Sequence, residues 1–346
     1  MNHDFILEKI QKLVKENISC PELIPLLERH KCLYLRHLTG DAKVNMDIQL
    51  AKAAAATRYQ VCAPVFAEIH QIPYAAIKGA VLSQDAYGSP FFRASGDIDT
   101  LTSREYVDVI KSIFQKHGFI QGKVTDGGIV PYSRKELLFQ TAMSHQTAPF
   151  IKKASNPLCP YVNVDVNLDI MWGESAQNTD MEYVLSHSIE MEIAGITVKR
   201  LAPEMAFLSL CLHHYKDMNS IYLLYEGSLR LSLFCDIYYY TVRNLHLDWK
   251  LLRQHSEALS VGSYLYYCLY YTNQIFDDPS LTNLLKMWEV YRDDHLLGSL
   301  RLTDAERKTW SVPFPERLFT ENISKLMDGI LDDADRKKIA LNKCLM

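Results

Sequence analysis

Residues 77 to 101 read IKGAVLSQDAYGSPFFRASGDIDTL. At the carboxyl end of this stretch, Asp97-Ile98-Asp99-Thr100-Leu101 alternates polar and apolar, the period of a strand with one buried face. Two carboxylates at i and i+2 project from the same face of such a strand, with Cα atoms ~6.5–7 Å apart. That spacing lets them converge on divalent ions held about 3.5–4 Å apart, as two-metal phosphoryl and nucleotidyl transfer requires. An acidic pair of this kind also occurs as an ordinary turn or strand-edge feature. Its context points to chemistry: Ser95-Gly96 stands directly before it, and a Lys78-Gly79 turn opens the stretch.

Working outward, residues 74–77 form a short apolar run that Lys78-Gly79 breaks. AVLSQDAY then suits a brief helix, and SPFFRASG is a loop by composition. Downstream, SREYVDVIKSIFQKHG reads as a helix stopped by Gly118. Residues 119–130 suit a hairpin turning at Asp126-Gly127-Gly128, and residues 136–140 suit a further strand. In residues 161–170, YVNVDVNLDI, Val162, Val164, Val166, Leu168 and Ile170 share one face, and Asn163, Asp165, Asn167 and Asp169 share the other. Asp165 is therefore the natural third carboxylate for the pair at 97 and 99, with Asp169 in reserve. Magnesium suits an all-carboxylate site that is completed by substrate phosphates, and Mn2+ is the natural substitute.

Residues 1–70 read as helix, with Ile6, Ile10, Leu13 and Val14 on one face of the first segment. A second helix is expected at 21–33, and a third from about 45 to 70, kinked or split at Pro64. Beyond Ala202 the chain returns to helix. The expected layout is a helical region (1–70), a small mixed α/β catalytic core (71–200) and a helical domain (201–346), an α+β architecture.

The 77–101 block resembles the signature of a bacterial family of nucleotidyltransferases with a minimal polymerase-β-like fold, mostly of unknown substrate. The matching positions are Lys78, Gly79, Leu82, Tyr87, Arg93, Gly96, Asp97, Ile98, Asp99 and Leu101. A later family strand resembling h-D-h-H corresponds to Val164-Asp165-Val166-Asn167, with asparagine in the usual histidine place. The resemblance implies transfer of a nucleoside monophosphate from an NTP, ATP by default, to an acceptor hydroxyl with release of pyrophosphate. It implies that Asp97, Asp99 and Asp165 hold the metal, and that Lys78, Gly79, Arg93, Ser95 and Gly96 bind the nucleotide. Gly79 would let backbone N–H groups approach phosphates closely, and the Lys78 and Arg93 side chains would neutralise them. Asp165 would also help deprotonate the acceptor.

Two rivals exist. One keeps the fold but binds a partner without catalysis, as toxin–antitoxin proteins of this type do. The other reads residues 97–101 as the nucleophile motif of a haloacid-dehalogenase-like phosphatase. That motif needs a buried apolar strand before its aspartates, and Phe92-Arg-Ala-Ser-Gly96 is not one.

Composition narrows the field further. The 346 residues carry 37 Lys+Arg and 41 Asp+Glu, a net charge of -4, so nucleic acid held on a basic surface is not expected. A protein partner stays open. The eight cysteines form no CxxC pair, which suits reduced thiols in a cytoplasmic protein. No secretory leader is legible, and the apolar stretch 221–242 is broken by Glu226, Arg230 and Asp236, so no membrane association is expected. There is no Walker A, GxGxxG or HExxH pattern. His213-His214, His145, the tyrosines between 222 and 271, and the pairs Asp293-Asp294 and Asp332-Asp333 read as packing or solvated residues.

Overall fold

The computed structural model describes the chain apart from residues 1–2, 41, 94, 144, 174, 176–178, 245–246 and 346, and apart from the side chains of 42–45, 139, 141–143, 304 and 344–345. The chain divides into two compact units.

One unit, of residues 1–41, 210–242 and 256–346, is helical. Helix α1 (His3–Glu16) buries Ile6, Ile10, Leu13 and Val14, the stripe its periodicity predicts. The helix expected over 21–33 is interrupted. Only α2 (Ile24–Arg29) is α-helical, between 3-10 turns at Pro21–Leu23 and Leu33–Thr39. Long helices at Leu231–Arg243 and Gly262–Phe276 contribute Tyr239, Tyr240, Tyr267 and Tyr271 as buried packing. His214 is buried within 3.3 Å of the Asp236 carboxylate, and His213 lies 3.5 Å from Asp217, so each imidazole has a local acidic neighbour.

The other unit, of residues 42–209 and 243–255, holds a mixed sheet of eight strands. Its elements are α3 (Ala42–Ile69), β1 (Tyr74–Ile77), α4 (Gly79–Tyr87), β2 (Ile98–Thr102), α5 (Val107–Lys116), β3 (Ile120–Thr125), β4 (Gly128–Pro131), α6 (Arg134–Met143), β5 (Phe150–Asn156), β6 (Cys159–Asn167), α7 (Met181–Ser186), β7 (Ser188–Ile193), β8 (Ile196–Leu201) and the start of α8 (Pro203–Asn219). Strand order is β4-β3-β5-β6-β2-β1-β8-β7. The β2–β6 and β1–β8 pairs are parallel and the others antiparallel. Strand β2 begins only at Ile98, so no buried strand leads into Asp97 as the phosphatase reading needs.

The core of this unit explains the alternation of β6. Val162, Val164 and Val166 pack with Tyr59, Cys62 and Phe66 of α3 and with Ile110 and Phe114 of α5. Each such side chain contributes about 1.5–3 kcal/mol when fully buried. The intervening Asn163 and Asp165 are left on the opposite face. Helix α3 runs through Pro64 without ending there. Pro64 and Gln60 are exposed, so the carbonyl that loses its hydrogen bond faces water.

Residues 136–140 are helical and not a strand. Ser133 and Glu136 form a capping box: Ser133 N donates to Glu136 Oε2 at 2.7 Å, and Glu136 N donates to Ser133 Oγ at 3.3 Å. Strand β6 ends at Asn167, short of the expected Ile170. Cys20, Cys32, Cys62, Cys159, Cys211, Cys235 and Cys268 are buried free thiols. Among the described residues, no helix is long and apolar enough to cross a membrane.

The β3–β4 hairpin offers a sharp test of this register. Gly122 lies opposite Pro131, and a Cβ there would stand 2.3 Å from the Val130 carbonyl oxygen. Backbone on both sides leaves no flexible group to give way. Gly122→Ala is expected to cost about 1–3 kcal/mol and to lower hydrogen-exchange protection across the hairpin. Unchanged protection and an unchanged denaturation midpoint would contradict the pairing.

Candidate active site

The site begins with strand register. Asp99 on β2 pairs with Asp165 on the parallel strand β6, so the two carboxylates rise side by side from one face of the sheet. Asp97 sits just before β2, in the loop that enters it. On the other side, Ile77 of β1 is the antiparallel partner of Asp99, which brings the next residue, Lys78, to the same end of the sheet. Lys78 Nζ lies 3.1 Å from Asp99 Oδ1. Three of the expected residues from one sequence block, and one from 66 residues further on, thus meet at a single edge.

The turn at 78–79 is strained in a way that favours its composition. Lys78 has φ +53 with ψ -150, and Gly79, the first residue of α4, has φ +43, so two successive residues carry a positive φ. An L side chain at Gly79 would find ordinary clearance, 3.5 Å to Ser95 Oγ, so the requirement for glycine is conformational. Lys78 holds a positive φ with a side chain, a strain of order 1–3 kcal/mol of the kind that gathers at functional sites. Helix α4 is tied down at its far end. Arg200 of β8 donates to the Asp85 carboxylate, Arg243 Nη1 to Tyr87 O at 3.0 Å, and Asn244 Nδ2 to Asp85 O at 3.0 Å.

The described residues between α4 and β2 are also tied down. Ser83 Oγ donates to Ser89 O at 2.7 Å and accepts from Arg93 N at 2.9 Å, and Tyr87 stacks on Phe92. Ser95 Oγ donates to Asp97 Oδ1 at 2.9 Å, so this serine orients the first carboxylate. Arg93, Ser95 and Asp97 line one cleft. Gly96 differs from Gly79: a Cβ there would meet no atom of the described residues within 4 Å. Asp169 lies beyond the end of β6, where its Oδ1 accepts from Met171 N at 2.8 Å and closes a turn.

Electrostatically, Asp165 is strongly perturbed. Its pKa is raised to about 7, first by burial, then by the negative charge of Asp99 and of Asp97, against a smaller opposing effect of Lys78. No three His, Cys, Asp or Glu side chains of the described residues converge closely enough to hold a metal unaided. Donor chemistry is nevertheless suitable for a hard cation: all-oxygen, acidic, and with negative charge that Lys78 only partly offsets.

Asn167, Gln146 and Thr100 extend the site beyond what residue pattern suggests. Buried Asn167 donates from Nδ2 to Asp99 Oδ1 at 3.3 Å and to Thr100 O at 3.0 Å, while its own Oδ1 accepts from Gln146 Nε2 at 2.8 Å. Thr100 Oγ1 donates to Asp165 O at 3.2 Å. The amide therefore pins Asp99 through the same oxygen that Lys78 contacts. Asn167→Ala is expected to cost about 1–3 kcal/mol, because it leaves buried partners unpaired. Asn167→Asp should cost more above neutral pH, where a carboxylate faces Asp99, and the gap between the variants should narrow in acid. Equal urea midpoints for the two variants at pH 8 would contradict this role.

A family model described as an uncharacterised nucleotidyltransferase matches residues 35–277, well over half of the chain. The match spans the sheet and every candidate site residue. No curated protein matches the chain.

Proposed function

The chain belongs to the family of uncharacterised nucleotidyltransferases, and from there we propose that it moves a nucleoside monophosphate from an NTP to an acceptor hydroxyl, releasing pyrophosphate, in a Mg2+-dependent reaction. The observation that supports this most is the register pairing of Asp99 with Asp165, with Asp97 ahead of them and the Lys78-Gly79 turn alongside.

In this reading Asp97, Asp99 and Asp165 hold the divalent cation, which when bound neutralises phosphate charge and acidifies the acceptor hydroxyl. Ser95 and Asn167 keep Asp97 and Asp99 in orientation through their hydrogen bonds. Lys78 meets the entering phosphates with its ammonium group, in exchange for its contact with Asp99. The open backbone at Gly79 lets amide N–H groups approach phosphate oxygens. Arg93 offers a guanidinium fork to paired phosphate oxygens from the cleft it lines. Asp165 accepts the proton of the attacking hydroxyl. Acceptor identity, a small molecule or a protein, is open to screening once the nucleotide is known.

Calorimetric titration with ATP, GTP, CTP and UTP, with and without Mg2+, tests the reading. Expected is Mg2+-dependent binding of a nucleotide by the natural chain, lost in the Asp97→Asn/Asp99→Asn double variant. A well-folded natural chain that binds none of the four would overturn it in favour of a partner-binding role.

A further inference from the structure

The acidic edge of the sheet has a basic neighbour, Arg58, from outside the sequence block. Helix α3 presents Ala51, Ala55 and Arg58 to a cleft, a spacing of four and three residues that defines one helical face. Across the cleft stand Arg93, Ser95 and Asp97. The two alanines keep the helix side of the cleft low. Arg58 Nε is buried and meets no hydrogen-bond partner among the described residues. The Arg58 side chain as a whole is half-buried, so this one enclosed N–H is an unmet donor that an anion in the cleft would satisfy.

We propose that this cleft takes the pyrophosphoryl end of the nucleotide, with Arg58 as a phosphate-binding residue. The proposal rests on the nucleotidyl-transfer reading above and deepens it by assigning the side of the acidic cluster on which the leaving group lies. Two guanidinium groups, from α3 and from the loop before β2, suit the paired oxygens of a diphosphate, while Tyr59, Pro90 and Phe91 make much of the rest of the lining apolar. Asp97 borders the same cleft, so a diphosphate there lies next to the carboxylates and adds its own oxygens to theirs. Positive charge on this flank also offsets the increase in negative charge when the α-phosphate bond breaks and pyrophosphate departs.

The test is calorimetric titration of Mg2+-pyrophosphate, and of the Mg2+-NTP that the natural chain binds, into the natural protein and the Arg58→Gln and Arg58→Lys variants. Arg58→Gln is expected to weaken both ligands by about tenfold or more and to a similar extent, with Arg58→Lys recovering part of the loss. Should Arg58→Gln fail to fold, Arg58→Lys decides: a smaller but parallel weakening of both ligands supports the assignment, and unchanged affinity overturns it. Natural affinity for pyrophosphate in a folded Arg58→Gln variant overturns it too. A natural chain that binds no nucleotide at all fails the nucleotidyl-transfer reading itself, a result separable from all of these.

Discussion

Asp99→Asn is expected to lower nucleotidyl transfer at least about a thousandfold, because the charge stabilisation a bound metal supplies is worth several kcal/mol and each ~1.4 kcal/mol is tenfold in rate. The substitution is nearly isosteric. It removes the ion pair with Lys78 and, at the same time, the repulsion that Asp99 exerts on Asp165. The fold should therefore change little, and the loss should appear in pyrophosphate release with the melting curve close to that of the natural chain. Asp97→Asn should behave alike, since Ser95 Oγ can still donate to the amide oxygen. Turnover within about tenfold of the natural chain in either variant would contradict a metal role for these carboxylates.

Asp165→Asn should separate function from stability. Transfer should fall by at least about a hundredfold, while the metal-free protein becomes more stable at alkaline pH. The sign follows from linkage. The native state binds the Asp165 proton with a pKa of about 7, against 3.8 for the ordinary side chain. Stability from that proton is thus fully present below about pH 4, declines as pH rises towards 7, and is gone above it. At pH 8 the natural chain carries the whole cost of an ionised, half-buried Asp165, and asparagine removes it. At pH 5 the native side chain is mostly neutral, and asparagine gains much less. The stabilisation by Asp165→Asn should be larger at pH 8 than at pH 5 by on the order of 2 kcal/mol, read from urea midpoints. An equal effect at both pH values would contradict the burial and repulsion assigned to this carboxylate.

Much of the site is legible in residue pattern because its parts are local. The turn at Lys78-Gly79, the loop carrying Arg93 and Ser95, and the strand from Ile98 lie within 25 residues. The strict alternation of Val162, Val164 and Val166 also exposes Asp165 as a face-out carboxylate, although nothing in the residues reveals that β6 lies parallel to β2 in the register that joins it to Asp99. Asn167 reads as a departure from the family pattern, and only its contact with Asp99 shows how an amide works there. Gln146 and Thr100 give no signal of their own, since each matters through one hydrogen bond made across the sheet.

Errors have equally local causes. Residues 136–140 look like a strand on apolar content, but Ser133 and Glu136 begin a helix, and that spacing is visible in the sequence. Of the kink or split expected at Pro64, the split does not occur, and the exposed place of Pro64 on its helix lets water reach the backbone there. The alanine-rich run before Arg58 reads only as helix. Its use as an open cleft wall depends on a packing of α3 that no local pattern encodes.

The most direct test places a metal in view. Crystals grown with Mn2+ and a non-hydrolysable ATP analogue, measured at the manganese absorption edge, are expected to show anomalous density about 2.1 Å from carboxylate oxygens of Asp97, Asp99 and Asp165 and shared with the phosphates. Nucleotide bound away from these three carboxylates, or bound beside them with no manganese between, would contradict the metal-dependent site.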